Sequence, residues 1–229
     1  MILSRKHRFI FLKTNKTAGT SIEIALSNFC GPDDIITPIS PVDEELRNFV
    51  GHRGPQHHRP AFAEYTLGDW SIALRRMKRK RFYSHMPGRE VKLLIGDEFW
   101  NSYFKFCFKR NPWDRMLSLY AWRCKSEPKP TLGEFIDSPV PRDLTTRGID
   151  VYTIDGQVTV DRVCKYEYLE AELESVRQRI GLPEKLSLPR AKGSHRIDKR
   201  HYREILQPHR HEQIAAMFRR EIEMFGYQY

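Results

Sequence analysis

The chain has 229 residues, 40% hydrophobic and 12% aromatic, which excludes a disordered polypeptide and allows a substantial core. Its formal charge of +10 favours a polyanionic partner (a nucleic acid, a phosphorylated cofactor or an acidic glycan) without choosing among them. No apolar run reaches the about 20 residues that span a bilayer, and no secretory leader pattern opens the sequence.

Cys30, Cys107, Cys124 and Cys164 are scattered and form no C-x-x-C pair, a pattern of reduced thiols rather than of a disulfide framework or a zinc site. A soluble, cytoplasmic protein with no integral membrane segment is therefore expected.

Arg8 to Leu12 (RFIFL) reads as a short buried strand. A polar turn, Lys13 to Gly19, leads into a helix over Thr20 to Phe29, with Ile22, Ala25, Leu26 and Phe29 on one face. Gly31 to Lys80 is irregular and rich in Pro, Gly and His, with one helix expected around Leu67 to Met77. Glu90 to Asp97 is helical in pattern. Tyr103 to Lys109 (YFKFCFK) alternates as a central strand, and Pro112 opens a helix running from Asp114 to about Arg123.

Pro128 to Thr159 is again loop-rich, with a short helix near Leu132 to Ile136. Tyr168 to Ile180 is an amphipathic helix closed by Gly181 and Pro183. Pro208 to Phe225 reads as a final helix whose stripe of Ile214, Phe218, Ile222 and Phe225 is core.

Two segments carry chemistry. Lys13 to Ser21 (KTNKTAGTS) combines small residues, hydroxyls and a cation between a strand and a helix, as phosphate binding requires. It is not a Walker A loop, because Lys16 precedes Gly19 instead of following a second glycine. An ordinary capped helix with a solvated lysine has the same composition. Phe108 to Arg115 (FKRNPWDR), continuing to Ser118 and Tyr120, also joins a strand to a helix, and Arg110 there can fork onto a phosphate. A surface arginine and a capping aspartate would look alike.

Together, K-T-A-G-T-S after a first strand and F-x-R-N-P-W-D-R-x-x-S-x-Y after a later one resemble the two cofactor-binding motifs of sulfotransferases. The similar branch is the carbohydrate one, which includes heparan sulfate 2-O-sulfotransferase and its bacterial relatives. Ser84-His85-Met86-Pro87, the Lys165-Tyr166-Glu167 element before a helix, and the Phe225-Gly226-Tyr227 ending follow the same order.

The resemblance implies an α/β, P-loop-like three-layer fold with a central, mostly parallel sheet flanked by helices. It implies one domain over 1–229, with loop-rich, acceptor-shaping insertions at about 31–82 and 125–160. The donor would be 3′-phosphoadenosine 5′-phosphosulfate, with no metal, and the acceptor a hydroxyl on a saccharide or glycoconjugate. Lys16 would stabilise the leaving phosphate, while Thr17, Ala18, Gly19, Thr20 and Ser21 wrap the 5′-phosphate. Arg110 and Ser118 would grip the 3′-phosphate, Lys192 and Gly193 would close over the cofactor, and His85 would be the base. Lys109 departs from the pattern, which is usually apolar there, and is expected to face either solvent or the cofactor.

His52, His57 and His58 match no zinc spacing and read as a solvated loop, or one that meets an anionic acceptor. The basic run Arg75 to Arg81 reads as a solvated face that can attract an acidic glycan. A P-loop nucleotide kinase lacks its Walker A lysine and magnesium carboxylate here. A non-catalytic basic module would fit the charge, but no nucleic-acid motif is present. A decayed sulfotransferase is countered by the joint presence of Lys16, His85, Arg110 and Ser118.

Overall fold

In the computed structural model, residues 1–60, 70–71, 74–75, 79–189, 198 and 200–229 are described, without the side chains of 146 and 147. Two short strands, β1 (Ile2–Ser4) and β2 (Phe9–Phe11), form a hairpin that opens the fold. Asp34 fastens its turn, accepting from Ser4 Oγ at 2.7 Å and from the amides of Arg5 and Gly31 at 2.6 and 2.8 Å. Helix α1 (Gly19–Ser27), strand β3 (Ile35–Ile36) and helix α2 (Pro41–Phe49) follow.

Helix α3 (Gly88–Ser102) then precedes the longest strand, β4 (Phe104–Lys109), and helix α4 (Pro112–Arg123). Two further helices, α5 (Leu132–Asp137) and α6 (Arg142–Asp150), lead to a separate two-stranded ribbon, β5 (Thr153–Ile154) with β6 (Gln157–Val158). Strand β7 (Arg162–Lys165), helix α7 (Leu169–Arg179) and a C-terminal group of α8 (Tyr202–Ile205), α9 (Pro208–Met217) and α10 (Arg219–Phe225) complete the elements.

The main sheet runs β3-β1-β2-β4-β7. Strands β2, β4 and β7 are parallel neighbours, but β1 pairs antiparallel with both β2 and β3. The sheet is therefore mixed, and this corrects the expectation of a mostly parallel one. Few residues separate β1 from β2, and only an antiparallel return is possible across so short a link.

Side chains alternate along the strands, which divides the core in two. Phe9, Phe11, Phe106 and Phe108 pack with Ile22 of α1 and Val176 of α7 on one face. Ile10, Leu12 and Cys107 pack with Val91 and Trp100 of α3 on the other. Helices thus cover both faces of the sheet. A third apolar cluster gathers α4, α5 and α9 around Met116, Phe135 and Ile214.

Several elements depart from the sequence reading. Helix α3 runs on to Ser102 through a non-helical Gly96 at φ 85° and ψ 163°. The final helix is two, because Phe218 leaves helical geometry at φ −106° and ψ 18°. Helices α2 and α6 occupy the stretches read as loops. The helix expected at Leu67 to Met77 lies largely outside the described residues, although 70, 71, 74 and 75 are helical. No helix among the described residues is long and apolar enough to cross a membrane.

Candidate active site

Strands β2 and β4 lie side by side, and each ends in a loop that feeds a helix. In open α/β sheets such carboxyl-end crevices are where ligands bind. After β2, Lys16 and Ala18 are left-handed at φ 64° and 58°, with Thr17 between them. Two such residues curl the backbone into a concave nest of N–H groups.

Gly19 completes the curl, since a Cβ there would lie 2.8 Å from Lys13 Cγ and 3.3 Å from the Thr14 carbonyl oxygen. Thr14 Oγ1 bonds to the Phe108 carbonyl and sits 2.9 Å from Thr17 Oγ1, which ties this loop to β4. Helix α1 begins with no side-chain cap and no acidic residue in its first turn. Its N-terminal amides and dipole therefore make that end of the helix favourable to negative charge.

After β4, Arg110 is steered by three groups. Its Nε donates to Asp114 Oδ2 at 2.6 Å, Nη1 points at the Lys16 carbonyl oxygen at 3.4 Å, and the guanidinium lies 4.3 Å from the centre of the Tyr166 ring. Asn111 caps α4, accepting from Trp113 N at 3.1 Å, and Pro112 follows at the first helical position. The Asn111 amide donates to Glu167 Oε1 at 2.5 Å, which joins this loop to the turn after β7. Ser118 reaches the same cleft from the second turn of α4.

The cleft has a volume of 860 Å³ and is lined by residues 13–21 together with His85, Arg110 and Ser118. Tyr83, Glu90 and Trp122 are among its other lining residues. Every anion-loop residue expected from sequence is thus brought to one place. Lys192 and Gly193 lie outside the described residues.

His85 is also left-handed, at φ 63°. Its Nδ1 stands 2.9 Å from the Lys13 carbonyl oxygen, which can only accept, so Nδ1 carries the hydrogen and Nε2 the lone pair. Burial, reinforced by the charge of Lys13, lowers the imidazole pKa to about 4 and keeps the ring neutral near pH 7.

Beneath the first loop lies a buried ionic network. Glu23 accepts from Lys13 Nζ at 2.8 Å, from Thr37 Oγ1 at 2.9 Å and from the Met1 amino group at 3.0 Å. Arg47 Nη2 of α2 stands 3.9 Å away. Burial alone would raise the Glu23 pKa, but Lys13 and the other cations outweigh it and hold it at about 2.

Lys109 faces neither solvent nor cofactor. Alternation along β4 turns it into the core, where Nζ lies 3.3 Å from Glu221 Oε2 and 3.9 Å from the Phe225 ring centre. Arg115 Nη2 donates to the same carboxylate at 2.6 Å. Burial, only partly offset by Glu221, pushes the Lys109 pKa down to about 7. The histidine loop is structural where it is bonded: His52 Nδ1 and His57 Nε2 each stand 2.9 Å from the carbonyl oxygens of Ile24 and Pro32. Among the described residues, no three potential metal ligands come together.

Sequence reasoning quoted Lys13 and Tyr166 inside its matched segments without giving them a role, and it missed Trp122. Trp122 carried a signal, since it follows Ser118 by four residues and shares its helix face. Lys13 carried none, because a strand-end lysine gives no sign of being buried.

The sulfotransferase family matches residues 1–228, nearly the whole chain. The chain belongs to the sulfotransferase family. An uncharacterized protein of Archaeoglobus fulgidus is 32% identical to it over 108 residues, which are 45% of this chain and 88% of that protein. No solved structure matches. As a sulfotransferase, the protein is an enzyme of sulfuryl transfer, and the strand–loop–helix units at β2 and β4 agree with the P-loop-like fold that goes with the family.

Proposed function

We propose that this sulfotransferase takes its sulfuryl group from 3′-phosphoadenosine 5′-phosphosulfate and delivers it to a hydroxyl on a carbohydrate. The observation that carries the reading is the convergence of two anion grips on adjacent strand ends, with a neutral histidine in the same cleft. The nest at 16–18, the glycine that admits close approach and the uncapped start of α1 suit the 5′-phosphosulfate. Arg110 and Ser118 suit the 3′-phosphate.

In the proposed step, the acceptor oxygen attacks sulfur in line with the bond to the 5′-phosphate oxygen. That S–O bond breaks, the acceptor proton passes to His85 Nε2, and the products are a sulfate ester and adenosine 3′,5′-bisphosphate. Lys16 and the N-terminal amides of α1 offset the charge that grows on the leaving phosphate. Val140, Asp143 and Leu144 of the 125–160 insertion line the cleft, and Tyr83 and Trp122 offer aromatic faces on which a sugar ring can lie.

The test is calorimetric titration with adenosine 3′,5′-bisphosphate, against adenosine 5′-monophosphate and ATP, on the wild type and on Arg110→Ala. Binding that requires the 3′-phosphate and weakens tenfold or more in the variant supports the reading, since a charge-assisted hydrogen bond contributes about 1.5–3 kcal/mol. Preference for ATP with magnesium would sink it.

A further inference from the structure

Helix α2 is built inside out. At about 100° per residue, Val42, Leu46 and Phe49 share an arc of about 60° on one side, and Asp43 and Arg47 lie on the other. The polar side is the buried one: Arg47 is 0% and Asp43 3% exposed, while Val42 is 72% and Phe49 88% exposed. The orientation is held firmly. Arg47 Nη1 donates to both oxygens of Glu44 at 3.2 and 3.1 Å and extends the Glu23 network beneath the anion loop. Ser40 caps the helix by accepting from the Asp43 amide. Rotating α2 to hide Phe49 would expel Arg47 from that network.

Val42 and Phe49 on the helix and Val50 just after it are three of the eight large apolar residues exposed among the described residues. Exposed arginines follow in sequence at position 53, three residues after Val50, and at positions 59 and 81. Arg81 is drawn toward the start of α2, because Ser84 Oγ donates to the Pro38 carbonyl oxygen at 3.3 Å and the Phe82 amide donates to the carbonyl oxygen of His58, next to Arg59, at 2.8 Å. One carboxylate, Glu45, is exposed on the apolar flank of α2.

We infer that this face docks on an anionic membrane surface, with the Val42 and Phe49 side chains entering the headgroup boundary and the flanking arginines meeting lipid phosphates. Apolar side chains raised above a cationic border are what interfacial binding requires, because acyl burial and attraction to anionic lipid then act together. A nucleic acid would use the arginines but leave Val42 and Leu46 with nothing to contact. A second copy of the chain would bring two cationic borders against each other.

The experiment is co-sedimentation of the full chain with phosphatidylcholine vesicles, with and without 30% phosphatidylserine, on wild type and Val42→Asp/Phe49→Asp. Both changed side chains are exposed, and bisphosphate binding by the variant checks that its fold and donor cleft are intact. The expected result is binding to the anionic vesicles at least tenfold tighter than to neutral ones, reduced at least tenfold in the variant. Three results overturn the proposal: no vesicle binding, anionic binding that the double variant retains, or a wild-type dimer in sedimentation that the variant dissolves.

Discussion

His85 Nδ1 lies 2.9 Å from the carbonyl oxygen of Lys13, the residue whose side chain anchors Glu23. Backbone and side chain of one lysine thus serve two purposes: the carbonyl fixes the histidine tautomer, and the ammonium fixes the floor of the anion loop.

Replacing His85 with Asn tests the proposed base apart from the scaffold, since Asn tolerates the left-handed backbone that His85 adopts. The transfer rate should fall by about 10²–10⁴, with bisphosphate affinity within about twofold of wild type. In the wild type, kcat/KM should not decline on account of this group until the pH falls toward about 4, where Nε2 takes up a proton in the free enzyme. The folded pKa lies below the unfolded value of 6.5, so between pH 6.5 and 4 the unfolded chain binds more protons and stability is lost as the pH is lowered. Steady-state rates and urea melts across pH 4–8 check both statements.

Gly19→Ala forces the Lys13 side chain to move, because the new Cβ would lie 2.8 Å from its Cγ. That side chain is buried and paired with Glu23, so the strain is expected to lower stability by about 1–3 kcal/mol. Bisphosphate affinity should drop at least tenfold by calorimetry. Unchanged affinity would show that the nest is not where the ligand's phosphate sits.

Glu23→Gln leaves Lys13 and Arg47 buried without their shared carboxylate. Removing one partner from a buried ionic cluster costs about 3–5 kcal/mol, and the urea midpoint at pH 7 should fall accordingly. In the wild type this carboxylate titrates at about 2 when folded and 4.5 when unfolded. Its contribution is full above pH 4.5 and is lost as pH drops toward 2, and that acid limb should flatten in the variant.

Lys109→Met should stabilise the protein. Glu221 keeps its 2.6 Å bond to Arg115, and an apolar side chain replaces a second cation among Phe225, Tyr152 and Tyr227. A gain of about 1–4 kcal/mol at pH 6 is expected. The wild-type lysine titrates at about 7 folded and 10.5 unfolded, so wild-type stability rises with pH across that window. The two proteins should converge near pH 10, as paired denaturant melts will show.

The two segments proposed to bind anions were legible because they carry their own local grammar. Lys16 to Ser21 and Arg110 to Ser118 lie where strand periodicity stops and helical periodicity starts, and the structure places both at one cleft. Their surroundings were not legible. Strands of two to four residues, such as Ile35–Ile36 and Arg162–Lys165, are too short to show a period. Helix α2 was hidden because its apolar stripe points outward and its buried face is charged, which inverts the usual pattern. Lys109 was misplaced for a related reason: a lysine in the core is legible only from Glu221, which lies over a hundred residues away in sequence.

The parallel pairing of β2 with β4, in register from Phe9 opposite Phe104 to Phe11 opposite Phe106, has one further consequence. Neighbouring strands stand about 4.8 Å apart and do not slide once both faces of the sheet are packed. The two proposed phosphate grips are therefore jaws of a caliper whose opening is set when the sheet forms. Such a protein gauges its ligand: a molecule with both anionic ends at the right span engages both jaws at once, and a mononucleotide with one phosphate fills one jaw only.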